Sequence, residues 1–312
     1  MTPTDLVTGA GGYTGAYVAR RLLADGRHVR TLTREVSEVR AAIEAHPYRF
    51  DDPDAMAATF AGVDTFYNTY WVRFGRGTAT HDDAVRNSLA LVDAASRAGV
   101  RRMVHVSIMN PSETSPHSYH RGKAVVEAAV VASGMEHAIV RPSVLFGGNE
   151  ILLNNVAWLL RHLHVFAVPG DGRYPIRPTH VEDLAELMVR LGADRGSFVR
   201  NAGGPETFEF GDLVRRIRAA TGARALVLDL PRAAVQPLLP IVNRITGDVT
   251  IHPAELDALM EGLASCDGPP AGTRRLSTFL DEHGATLGTT YANEVRRNFD
   301  VAEPAPGVAS AA

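Results

Sequence analysis

The stretch VTGAGGYTGAYVARRLL, Val7–Leu23, sets three glycines, Gly9, Gly12 and Gly15, at three-residue spacing between a β-branched run and an amphipathic one. Asp5–Thr8 before it reads as a strand. The residues after it read as a helix that stops at Gly26, since a glycine after a periodic run is the expected helix end. A strand feeding a helix through glycines has a specific use. Glycine permits the tight turn and lets backbone N–H groups approach a pyrophosphate, which then sits at the positive end of the helix dipole. A nucleoside-triphosphate loop would need Gly-Lys followed by Ser or Thr, and none follows here. Gly9, Gly12, Tyr13, Thr14 and Gly15 are therefore read as the cradle of a dinucleotide.

The same alternation continues outward. Strand-like runs at His28–Thr33, Val63–Asn68, Arg101–Ser107 and Glu136–Pro142 are separated by helical windows, including AVRNSLALVDAASRAG, which ends on Gly99. Repetition of this kind builds a parallel sheet with helices on both faces. The expectation is an α/β chain with a Rossmann-type doubly wound parallel sheet over residues 1–150. A smaller, mostly helical C-terminal substrate lobe follows over 151–300, with segments returning to the core. Helices are expected at Ile151–His162, His180–Leu191, Phe210–Thr221, Pro253–Ala264 and Arg275–Arg297, and 301–312 read as a disordered tail.

Bulk properties exclude several classes. The 312 residues carry a formal net charge of −3 and no basic stripe, which argues against nucleic acid as a partner. A single cysteine, Cys266, rules out an intramolecular disulfide and a cysteine-based zinc cluster. The longest apolar runs, such as Ala233–Val242, are too short and too broken by proline to span a membrane, and no secretory signal precedes the first strand. The chain reads as cytoplasmic, with a small molecule as its partner and a homodimer as an admissible assembly.

At the end of the second strand run, an acidic residue would bind an adenosine ribose 2′-hydroxyl. This chain has Thr33 and Arg34 there, with Glu35 displaced beyond the strand. A hydroxyl and a guanidinium welcome a 2′-phosphate that a carboxylate would repel. NADP(H) is favoured over NAD(H) on that ground.

Lys123 is the only lysine among 32 basic residues, and Tyr119 precedes it by four, on one helix face. An ammonium is a compact charge whose pKa responds to its surroundings, unlike a guanidinium. With the glycine loop and the strand–helix alternation, Tyr119-x-x-x-Lys123 resembles the short-chain dehydrogenase/reductase superfamily. The likeness is to its extended and atypical members, the epimerase/dehydratase-like, NmrA-like and complex-I-subunit-like groups. VRPSVLFGG (Val140–Gly148), PTHVEDLAELMV (Pro178–Val189) and NAGGPETFEFGDLVRRI (Asn201–Ile217) resemble further segments of these families. The resemblance implies Tyr119 as general acid/base at a carbonyl or alcohol. It also implies Lys123 as holder of the nicotinamide ribose, favouring the phenolate by its charge.

The family's oxygen-polarising hydroxyl stands just after the fifth strand. Ser107 is the candidate here, although Ile108 and Met109 occupy the family's usual positions, and Ser112, Thr114 and Ser115 offer hydroxyls from the following loop. After Val63–Asn68, Tyr70, Trp71 and Phe74 either line or lid the crevice at the strand ends or pack beneath their loop as core. If they line it, the substrate is apolar or aromatic. Arg73 and Arg76 offer charge from the same loop. The histidine pairs His117/His120 and His162/His164 lack a third ligand, so no metal is expected, and Asn87 falls three residues from the family's helix asparagine. The expected function is an NAD(P)(H)-dependent oxidoreductase for a small or medium organic carbonyl or alcohol. The alternatives are an epimerase or dehydratase that keeps its nicotinamide, and a non-catalytic NADP(H)-binding sensor or assembly protein.

Overall fold

The computed structural model describes residues 3–34, 36, 41–75, 79–148 and 150–298. The chain divides into two compact units, Met1–Pro142 with Val181–Ala202, and Ser143–His180 with Gly203–Ala312. The first crossing falls where a strand ends at Pro142, ahead of the boundary expected near residue 150.

In the first unit the chain runs β1 (Thr4–Thr8), α1 (Tyr13–Ala24), β2 (His28–Thr33), β3 (Glu44–Pro47), α2 (Pro53–Thr59), β4 (Val63–Asn68), α3 (His81–Arg97), β5 (Arg102–Val106), α4 (Ser118–Ala132) and β6 (Glu136–Pro142). A helix, Val181–Ala193, and a strand, Phe198–Ala202, return later to complete it. The seven strands form one sheet in the order Phe198–Ala202, β6, β5, β4, β1, β2, β3, and every pairing is parallel. Strands added after β1 go one way and those from β4 onward go the other. The carboxyl ends of β1 and β4 therefore flank the reversal point, where open α/β sheets leave a crevice.

Leu6, Leu32, Phe66, Met103 and Ile139 of the strands are buried in one cluster with Met56 of α2, Leu91 of α3 and Val126 of α4. Helix α1 packs beside Val181–Ala193, while α3 packs against both α2 and α4. Arg102 on β5 is fully buried, and its guanidinium donates to the carbonyls of Leu191 at 2.6 Å and Gly196 at 2.7 Å. It thus fastens the returning segment to the sheet through groups that would otherwise lack partners.

The second unit has its own core, built from Phe146, Leu160, Tyr174, Phe210, Ile217 and Leu280 among others. It holds three two-stranded pairings, of which Val165–Pro169 with Leu226–Leu230 is the longest. Helices stand at Leu152–His162, Phe210–Thr221 and Pro253–Met260, close to expectation. The single helix expected over Arg275–Arg297 is instead two, Leu276–His283 and Glu294–Asn298. Gly288 between them takes φ +71°, and a Cβ there would lie 2.4 Å from the Trp158 nitrogen, so the chain turns at a position only glycine fills. The tail 301–312 lies outside the described residues. Among those described, no helix is long and apolar enough to cross a membrane.

Gly15 is the tightest point of the first unit's opening turn. An added Cβ would stand 2.2 Å from the Gly9 carbonyl oxygen and 2.8 Å from that of Thr8, both backbone atoms that cannot swing aside. Gly15→Ala is expected to lower unfolding free energy by about 1–3 kcal/mol, measured by urea denaturation, with the midpoint falling at unchanged slope.

Candidate active site

The turn between β1 and α1 is built by three short bonds. The Gly9 amide donates to the Leu32 carbonyl (2.9 Å), the Gly12 amide to the Gly9 carbonyl (2.8 Å) and the Ala10 amide to Thr31 Oγ1 (3.1 Å). Gly9 takes φ +66°, which favours glycine, and an added Cβ at Gly11 would meet no atom within 4 Å. Tyr13 and Thr14 open α1, and Gly15 lies buried against the turn. At the neighbouring strand end, Thr8 Oγ1 donates to Asn68 Oδ1 (3.2 Å) and accepts from the amides of Thr69 (2.8 Å) and Tyr70 (3.1 Å). These bonds hold the two sides of the reversal point in register, leaving an open cradle of backbone beside a helix N-terminus.

A cavity of about 390 Å3 lies beside the end of β2, lined by Thr33, Arg34, Pro47, Tyr48, Phe50, Tyr70 and Asn87. Tyr48 and Phe50 stack with ring centroids 5.0 Å apart, and Tyr70 meets them at 5.4 and 5.6 Å. Asn87 Nδ2 donates to the Tyr70 hydroxyl at 2.9 Å. Burial raises the pKa of both phenols, opposed by the nearby Arg34 charge at each and by the Asn87 bond at Tyr70. Tyr70 therefore stands with Thr33 and Arg34 rather than with Tyr119. Glu35 lies outside the described residues, and among the described residues no carboxylate lines the cavity.

The third cluster gathers at the start of α4. His117 caps that helix in an extended conformation, and Lys123 follows within two turns. Only 2% of Lys123 is exposed. Its Nζ donates to the Val106 carbonyl at the end of β5 (2.8 Å) and lies 4.3 Å from the centroid of the Trp71 ring. An ammonium over an indole gains about 0.5–2 kcal/mol, less than the cost of removing the charge from water. Burial accordingly holds the Lys123 pKa down to about 7, with Glu127 acting weakly the other way. His105 is held well below its usual pKa by burial and by Lys123; its Nδ1 meets Asn68 Nδ2 at 3.2 Å.

The Tyr119 ring lies edge-on to Trp71 and to His81, both at 5.5 Å. His81 is fixed through Ser118 Oγ (2.7 Å) and the Arg73 carbonyl (3.0 Å). Gly122 admits the indole: a Cβ there would come within 3.0 Å of the Trp71 ring. Ser107 is 4% exposed, and its Oγ has no hydrogen-bond partner among the described residues. Phe74 is buried, with the Arg73 guanidinium 5.8 Å from its ring centroid, and Arg76 lies outside the described residues. No group of three or more His, Cys, Asp or Glu able to hold a metal occurs among the described residues.

Sequence reasoning missed Tyr48, Phe50 and His81. The first two follow β3, whose residues EAHP show no apolar alternation and so hid both the strand and the aromatic pair beyond it. Asn87 was within view, and only its bond to Tyr70 gives it a place.

An open glycine turn at a sheet's reversal point, with a cavity at the next strand end and a Tyr/Lys pair on the helix after β5, defines an NAD(P)-binding Rossmann-like protein of the extended short-chain dehydrogenase/reductase type. Residues 6–201 match the NAD dependent epimerase/dehydratase family, and the chain belongs to it. Among curated proteins it is 27% identical over 217 residues to the mitochondrial NADH dehydrogenase [ubiquinone] 1 alpha subcomplex subunit 9 of Arabidopsis thaliana, covering 65% of this chain and 54% of that one. It therefore spans about half the length of that relative. It is 28% identical over 250 residues to a 3-beta-hydroxysteroid dehydrogenase of Mycolicibacterium neoaurum, covering 66% of this chain and 67% of the other. Among solved structures, the NADPH-dependent quinone oxidoreductase of Escherichia coli, complexed with NADPH, superposes with a TM-score of 0.74 at 19% identity, covering 89% and 99% of the two chains. At that identity the match speaks for the fold.

The buried lysine has a signed consequence for stability. Its folded pKa of about 7 lies below the ordinary lysine value of 10.5. The folded state thus binds fewer protons than the unfolded one between those values, and the charge weighs fully against folding below pH 7 and progressively less as pH rises toward 10.5. Lys123→Met is expected to be more stable than wild type at pH 6, by about 1–4 kcal/mol. The advantage shrinks steadily between pH 7 and pH 10, as read by urea unfolding at each pH.

Proposed function

We propose that the protein is an NADP(H)-dependent oxidoreductase acting on a small or medium organic carbonyl or alcohol of apolar or aromatic character. The observation that carries the reading is the joint placement of Tyr119 and Lys123 on α4, with Lys123 hydrogen-bonded to the last residue of β5. The residues present suit the cofactor. The glycine turn offers backbone amides beside open space, and the cavity at β2 pairs a hydroxyl and a guanidinium, Thr33 and Arg34, with aromatic walls. A 2′-phosphate would find a charge-assisted donor there in Arg34, and the described lining holds no carboxylate.

When bound, the nicotinamide supplies hydride acceptance or donation. The chain's own residues handle the rest. Tyr119 passes a proton to or from the substrate oxygen. Ser107 Oγ, buried with its hydrogen-bonding capacity unused, supplies a bond to that oxygen. Lys123, one helical turn from Tyr119 on α4, supplies a positive charge that burial disfavours and that ligand oxygens would favour. Trp71 and the Tyr119 ring supply apolar edges for a planar substrate.

One observation favours a second reading, a non-catalytic NADP(H)-binding protein: Lys123 is only 2% exposed, with the Trp71 ring 4.3 Å from its Nζ. The two readings part on turnover. Against a panel of aromatic ketones and quinones with NADPH, Tyr119→Phe is expected to lose about 10²–10⁴-fold in rate while holding nucleotide affinity near the wild-type value. Absence of turnover in wild type, with NADPH binding intact, favours the second reading.

Cofactor choice is separable. Arg34→Ala is expected to weaken NADPH binding by about tenfold or more and to leave NADH nearly unaffected, followed by fluorescence titration of both nucleotides. Equal weakening of the two would assign Arg34 a role in shaping the cavity rather than in reading the phosphate.

A further inference from the structure

We propose that Trp71 is a movable cap on Lys123, so that the ammonium becomes accessible to a ligand only when the indole leaves its seat against α4. The inference rests on the reading of Lys123 as a binding residue for its purpose, while its geometry stands independently.

Three observations carry it. Among the described residues the lysine's hydrogen-bond acceptor is Val106 O, the Trp71 ring lies 4.3 Å from Nζ, and the residue is 2% exposed. Two of the three ammonium donors are thus available to oxygen atoms that cannot approach past the ring. Second, the closed seat is imperfect for the indole itself. Trp71 Nε1 is buried and donates to no partner among the described residues, so departure from the seat restores a bond that the seat withholds. Third, the seat is shaped for a ring to enter and leave. Gly122 presents no side chain where a Cβ would touch the indole at 3.0 Å, and Trp71 lies within residues 69–75, which form neither helix nor strand. His81 stacks beyond the indole with centroids 6.3 Å apart, too far to clamp it.

The chain's composition provides the probe. Lys123 is the only lysine, so side-chain amine acylation reports on this position alone. The full-length protein without nucleotide is treated with an acetylating N-hydroxysuccinimide ester at pH 8, and acetylation of the peptide bearing Lys123 is followed by mass spectrometry. Trp71→Ala is expected to acetylate at least about tenfold faster than wild type, and Trp71→Phe, which keeps a ring over the ammonium, to stay near the wild-type rate. Equal rates in wild type and a folded Trp71→Ala would overturn the cap. A second arm keeps the test decisive if the alanine variant does not fold. In wild type the rate is expected to stay flat between 0 and about 1 M urea, because a ring that swings exposes little surface. A rate that climbs in step with global unfolding would show that the lysine is reached only by unfolding, and that Trp71 is a fixed part of the core. Nucleotide binding, scored separately by calorimetry, tests the functional reading alone.

Discussion

The hydrogen bond from Lys123 to the Val106 carbonyl joins the beginning of α4 to the end of β5, and through it a charged group is held inside a packed layer. A buried ammonium demands acceptors, aromatic faces or loss of its proton. All three are found here, as a backbone carbonyl, an indole and a pKa brought down to about 7. The neighbours answer to the same demand. His105 is kept neutral beside it, Gly122 forgoes a side chain to let the indole lie down, and His81 and Tyr119 pack against that indole in turn. Arginine serves the chain at every other basic position outside its histidines, mostly on exposed or partly exposed sites, with the buried Arg102 bonded to backbone carbonyls. A planar guanidinium has no equivalent of this narrow seat.

The first unit places this cluster and the glycine turn on the same edge of one parallel sheet. That is a consequence of strand direction: all seven carboxyl ends point one way, so loops following β1, β2, β4 and β5 converge. Their division of labour is visible in the side chains. Backbone amides dominate after β1, an aromatic box with one arginine follows β2 and β3, and Lys123 and Tyr119 stand on the helix after β5. Tyr70 and Trp71, adjacent in sequence, split between the second and third of these places. Successive side chains of an extended segment point in opposite directions, and a single loop thereby serves both.

Legibility in the sequence followed the strength of local pattern. The runs at His28–Thr33, Val63–Asn68 and Glu136–Pro142 carry enough β-branched residues to mark strands to the residue, and Phe210–Thr221 is equally clear as a helix. The short polar strand Glu44–Pro47 shows no such alternation, and it concealed the wall formed by Tyr48 and Phe50. The break at Gly288 depends on close approach to Trp158, a contact 130 residues away that no local window registers. The site divides similarly. Spacing singled out the glycines, Tyr119 and Lys123 as candidates, because backbone geometry and helix periodicity are local. The placement of Tyr70 in the aromatic cavity and of Trp71 against Lys123 is a tertiary fact.

The strand Phe198–Ala202 covers β6 on the sheet's outer margin, and it is separated from β6 in the chain by the whole of the second unit's first segment and the helix Val181–Ala193. A ribosome delivers about 5–20 residues per second from the N-terminus, so the nascent sheet waits with β6 as an open edge while residues 143–197 emerge. Such an edge invites pairing with other chains. Arg102, fully buried yet bonded to Leu191 and Gly196, cannot find its acceptors before that moment either. Vectorial synthesis therefore leaves the nucleotide-binding half incomplete until the return strand arrives, and a chaperone that shields one sheet margin during that interval would protect the whole molecule.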